Sequence, residues 1–181
     1  MLELEILLSP EGWDEEKQEF VEPTTEIIQL EHSPVSLKKW ESKWNKPFLS
    51  KQEMTNEETL DYIKCMTISQ DVKQEVYEKL SAQNIEQVRK YIAAPMSATT
   101  FSDKKNGKVN REIITAEIIY YWMIAFNIPS EYQNWHLNQL LTLIRVCSIK
   151  NQPTKKRSGR ESARNYAALN KARREQHNTR G

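Results

Sequence analysis

Apolar and polar residues alternate at the start of the chain, where Leu2, Leu4, Ile6 and Leu8 are interleaved with Glu3 and Glu5 before Pro10 and Gly12. A period of two predicts a strand with one buried face. A second strand is expected in TEIIQL, residues 25–30. The acidic stretch between them, EGWDEEKQEFVEP, reads as a hairpin loop, so the two strands should pair antiparallel.

From Ser33 the period becomes helical. Ser33 followed by Pro34 is a cap with proline at the first helical position, where no N–H is needed, and Leu37, Trp40 and Trp44 then fall on one face. Pro47 ends that helix. Thr55 and Glu58 have capping-box spacing and open a second helix with Leu60, Ile63 and Met66 on its apolar side. A third helix is predicted over 71–81, carrying Val72, Val76 and Leu80. A fourth is predicted from Asn84, with Gln87 at the box position and Ile85, Val88 and Ile92 inward, stopping before Pro95.

Asn106–Gly107 between SATTF and KVN suits a tight hairpin turn, because both central residues there need positive φ. Asn110 should cap a helix over 111–127 that is apolar nearly all round at its end and is therefore expected at the centre of the core. Pro129 closes it. Ser130 with Gln133 repeats the capping box for a last long helix, which carries Trp135, Leu137, Leu140, Leu141, Ile144 and Cys147 and runs to about Asn151.

The pattern predicts a mainly α fold with a small β element (α+β). Residues 1–31 form an acidic segment with short strands, 32–152 a helical domain of about five to six helices, and 153–181 a basic tail that is either unstructured or helical on a partner. A chain of 181 residues suits one compact domain with extensions. Four glycines disfavour turn-dense β folds and remove glycine-rich phosphate loops from consideration.

The net charge of +1 hides a strong asymmetry. Residues 1–31 hold ten acids against Lys17, a net of −9, while residues 150–181 hold ten Lys or Arg against Glu161 and Glu175, a net of +8. Such polarity points to ends that meet partners, or to self-association of acidic and basic ends.

Little in the chain suggests catalysis. His32, His136 and His177 are far apart with no Cys, Asp or Glu at ligand spacing, and Cys65 and Cys147 form no CxxC pair, so two buried thiols in a reducing compartment and neither metal nor cofactor are expected. The longest apolar run, IIYYWMIAF, has nine residues, about half of the roughly 20 that span a bilayer. The start lacks a signal-peptide pattern, so a soluble cytosolic protein without membrane partners is expected.

Two surfaces remain as candidates for partner binding. Trp40 and Trp44 share a helix face from which Lys38 and Lys39 point away, so that face packs on the domain, binds protein or stacks on nucleic acid. The tail offers Lys155, Lys156, Arg157, Arg160, Arg164, Arg173 and Arg174, suited to acidic protein surfaces or, less so, to nucleic-acid phosphates.

The segments LEHSPVSLKKWESKWNKPFLS, ETLDYIKCMTI, IIYYWMIAFNIPSEYQNWHLNQLLTLIRVC and RNYAALNKARREQHNTRG together resemble the tail assembly chaperones of long-tailed (siphovirus-like) bacteriophages, over residues 25–181. That resemblance implies a mostly helical, non-enzymatic protein in the cytoplasm of an infected bacterium. It would bind the long tape-measure protein or other tail proteins and keep the tape measure soluble while tail-tube subunits polymerise around it. The alternatives are a structural connector or tail-completion component of the particle and a nucleic-acid-binding accessory protein acting through the tail.

Overall fold

A computed structural model describes residues 1–14, 18–50, 53–101, 113–152 and 159–177, with the side chains of residues 14 and 160–162 left aside. It is mainly α with a small β element. Strand β1, Leu2–Ser9, pairs antiparallel with β4, Thr24–Leu30, from Leu2↔Leu30 through Leu7↔Thr25. Alternation sets the faces as expected. Leu4, Ile6, Ile28 and Leu30 are fully buried, while Glu3, Glu5, Leu7 and Ile27 lie on the outer side. The segment between is more than a loop. Strands β2, Gly12–Asp14, and β3, Glu19–Val21, form a second, separate two-stranded antiparallel ribbon with Trp13 opposite Phe20.

Helix α1, Pro34–Trp44, begins at the predicted cap: the Ser33 hydroxyl accepts from the Ser36 N–H, and the Ser36 hydroxyl accepts from the Ser33 N–H at 2.9 Å. It ends at Asn45, whose left-handed backbone (φ 51°) stops it before Pro47 is reached. Helix α2, Asn56–Met66, starts with the Thr55–Glu58 box as expected. The third helix is much shorter than predicted. Asp71 is left-handed (φ 57°), which breaks any helix there, and α3 covers only Gln74–Glu78.

Helix α4, Ala82–Ala93, starts at Ser81 and not at Asn84. Asn84 does the work expected of Glu or Gln, its Oδ1 accepting from the Ser81 N–H at 3.0 Å, while its Nδ2 donates to the Glu5 carbonyl of β1. On the other side of the sheet, the Gln29 N–H donates to the Ser69 hydroxyl and the Gln29 carbonyl accepts from the Ile68 N–H at 2.8 Å.

Helix α5, Ala116–Ala125, follows Thr115, whose side chain makes no cap hydrogen bond; the predicted Asn106–Gly107 turn and Asn110 cap lie outside the described residues. It is also peripheral rather than central. Ala116, Ile119 and Met123 face inward, whereas Tyr121 is 66% and Ile124 77% exposed. The Ser130 region is a 3-10 turn, Ser130–Asn134, and helix α6, Leu137–Asn151, starts afresh after it. Cys65 and Cys147 are free thiols and half-buried, where full burial was expected.

Two apolar clusters form the core. One joins the inner face of the sheet to Trp40, Tyr62, Ile63, Met66, Val76 and Val88, so the strands of 1–31 are part of the helical domain's core and not a separate body. The other joins Leu37 to Ala116, Ile119, Leu137 and Leu140. Helix α1 serves both, since Leu37 and Trp40 point to different clusters. Compact packing ends at Ser148, and residues 149–181 form a second unit. Within it, α7, Gly159–His177, is a helix whose described side chains are all exposed.

Candidate functional site

Aromatic rings organise the middle of the domain. Trp44 neighbours Trp40, which meets Phe48 and Tyr62 edge to face; Phe48 lies against Tyr62 at 4.0 Å between centroids; Tyr62 meets His32, His32 meets His136 and His136 meets Tyr91. The series runs from α1 through α2 to α4. Its polar atoms are satisfied within the protein. His32 Nδ1 lies 2.5 Å from the Tyr62 hydroxyl, and Asn138 N–H donates to His136 Nδ1, which leaves His136 Nε2–H to donate to the Tyr91 carbonyl.

Burial favours the uncharged forms of these groups. His32 is pushed down to about 3 by burial, with His136 adding to the effect. Burial lowers His136 as well, against the upward pull of its Tyr91 bond and of Glu31, and burial raises the Tyr62 hydroxyl. The shifts of both imidazoles favour their uncharged forms. Among the described residues no cluster of three or more His, Cys, Asp or Glu could hold a metal ion.

The tryptophans of the first candidate surface separate. Trp40 is 2% exposed and donates from Nε1 to the Glu58 carbonyl, so it is a core residue and presents no binding face. Trp44 is half-buried and donates to Asp61 Oδ2 at 2.9 Å. Neighbouring lysines are spoken for by α2: Lys43 pairs with Asp61 and Lys46 with Glu58. The Lys46 bond, with the Thr55 backbone, lowers Glu58; burial alone would raise Asp61, but the Lys43 and Trp44 hydrogen bonds outweigh it and hold it low. Aromatic and basic residues here clamp α1 to α2, an arrangement opposite to an exposed stacking platform.

The tail residues are placed in part. Arg164, Arg173 and Arg174 lie exposed on α7, Arg160 belongs to its first turn, and Lys155, Lys156 and Arg157 lie outside the described residues.

What the sequence did not single out is a cleft of about 520 Å³ between α2 and α4. Tyr62, Ile63 and Val88 are its buried floor, Met54, Ile85 and Ile92 its half-buried walls, and exposed Glu53 and Arg89 its charged rim. The signal available was the inward stripe of Ile85, Val88 and Ile92, which reads as plain core. Helix α4 carries Val88 into the core while leaving Ile85 and Ile92 partly open, so the stripe does both. An apolar cleft with opposite charges at its rim can hold one side of an amphipathic helix.

No helix among the described residues is long and apolar enough to cross a membrane. Comparison of the chain with protein-family models, curated proteins and solved structures gives no match.

Proposed function

We propose that this chain is a non-enzymatic tail assembly protein of a long-tailed bacteriophage, a chaperone that holds the tape-measure protein in the cytoplasm of the infected host. The observation that carries the reading is the cleft between α2 and α4, whose apolar walls and charged rim suit a long amphipathic helix. The resemblance of residues 25–181 to that group supports the choice of partner.

The test is recovery of tagged full-length protein from infected cells, with and without nuclease, beside an Ile85→Glu variant that puts a charge into the half-buried wall. Nuclease-insensitive recovery of a very long helical tail protein by the parent chain and not by the folded variant is the expected result. Finding the protein as a stoichiometric part of purified particles would favour a connector or tail-completion component instead. A second reading, a nucleic-acid-binding accessory protein, rests on the exposed cations Arg164, Arg173 and Arg174, and loss of the bound material on nuclease treatment would select it.

A further inference from the structure

The β2–β3 ribbon presents a pair of large aromatic side chains to solvent. Trp13 and Phe20 sit directly opposite one another on β2 and β3 and are 59% and 66% exposed. Val21 on β3, and Leu7 and Ile27 on the β1–β4 sheet, add further exposed apolar area. Cross-strand aromatic pairs stabilise a ribbon, yet a two-stranded sheet with both faces in water is marginal without something to cover it. Around the pair the sequence supplies Glu11, Glu19, Glu22 and Glu26, within a segment of net charge −9. An exposed aromatic pair ringed by carboxylates selects a partner with apolar anchors among cations.

The chain contains such a segment. Helix α7 exposes Tyr166 at 70% and Leu169 at 51%, spaced three apart, with Arg173 four further on along the same face. Arg174 flanks that face, Arg164 and Lys171 lie on the opposite one, and residues 150–181 carry a net +8. The charges of the two ends nearly cancel. From that complementarity we infer that the acidic ribbon of one copy receives the basic carboxy-terminal segment of a second copy, with Trp13 and Phe20 packing on Tyr166 and Leu169. The contact joins two different surfaces, so each added copy leaves one ribbon and one tail unused and growth continues as an open chain.

The test uses full-length protein in sedimentation velocity. At about 50 mM salt the average mass should more than double with rising concentration, and at about 1 M salt, where screening acts within about 3 Å, it should return to that of a monomer. Trp13→Ser with Phe20→Ser removes the ribbon anchors; Arg164→Glu with Arg173→Glu and Arg174→Glu removes the tail cations. All five positions are exposed, so both variants should keep the parent's thermal transition. Each variant alone should stay monomeric. An equimolar mixture should stop at a one-to-one dimer, because only one intact ribbon and one intact tail can meet. A synthetic peptide of residues 159–177 in excess should dissociate the parent assemblies, a readout that needs no variant to fold. A parent chain that stays monomeric at low salt overturns the inference, as does association that either variant retains or that the peptide leaves intact.

Discussion

The imidazoles of His32 and His136 meet edge to face with centroids 5.1 Å apart, both enclosed by protein. His32 ends the sheet side of the molecule and His136 precedes α6, and the His32 carbonyl accepts the Leu137 N–H at 2.7 Å beside them. The contact joins the two core clusters. Two adjacent buried imidazoles cannot both take a proton without repulsion and loss of hydration.

Stability should therefore fall on mild acidification. The folded His32 value lies below that of the unfolded chain, so the unfolded chain binds the proton first. The contribution is intact above about pH 6.5 and is eroded as pH falls toward 3. Between about pH 7.5 and about pH 5.5 His32 alone should cost about 1.4 kcal/mol, with His136 adding in the same direction. Urea unfolding at the two pH values measures it. His32→Gln, which cannot titrate, should reduce the pH dependence by about that amount; an unchanged dependence would show that His32 is not its source.

Trp40 and Trp44 should differ sharply on truncation. Trp40→Ala empties a fully enclosed site and removes the indole hydrogen bond to the Glu58 carbonyl, so a loss of about 3–5 kcal/mol is expected. Trp44→Ala removes a half-buried ring and one hydrogen bond, for which about 1–2 kcal/mol is expected. Chemical denaturation of the two variants side by side decides it, and equal losses would contradict the burial difference.

Glu41 is a clamp made of one carboxylate. Its Oε1 accepts from the Phe48 N–H at 2.9 Å and its Oε2 from the Ala116 N–H at 2.8 Å, tying the turn after α1 and the start of α5 to one side chain. Glu41→Ala should cost about 1–3 kcal/mol for each donor left buried without a partner. Hydrogen exchange should report it locally, with faster exchange at Phe48 and Ala116 than at Leu140 of the same cluster.

The legible parts of this fold were local. Ser33–Pro34 and Thr55–Glu58 announce helices because a cap and its partner lie within one turn, and Leu4 and Ile6 announce a buried strand face because alternation is a property of neighbours. Ser81 carries a weaker cap signal because Asn84, rather than Glu or Gln, completes its box. The outward turn of Ile124 was hidden because a run apolar on all sides has no preferred face to read. The outer ribbon gave little signal, its strands being three residues each. The histidine pair and the cleft were beyond reach. They bring together His32 with His136 and Met54 with Ile92, and such distances along the chain are closed only by tertiary packing.

The flanks of the β1–β4 pair are occupied, at Glu5 in the middle of β1 by the amide of Asn84 and at Gln29 near the end of β4 by Ser69 and Ile68. A third strand cannot lie alongside there without first expelling a helix cap or the end of α2. Recruitment by backbone zippering, which accepts nearly any extended sequence, is closed at this part of the sheet. Whatever the sheet engages there must be recognised through its side chains, and that makes it selective.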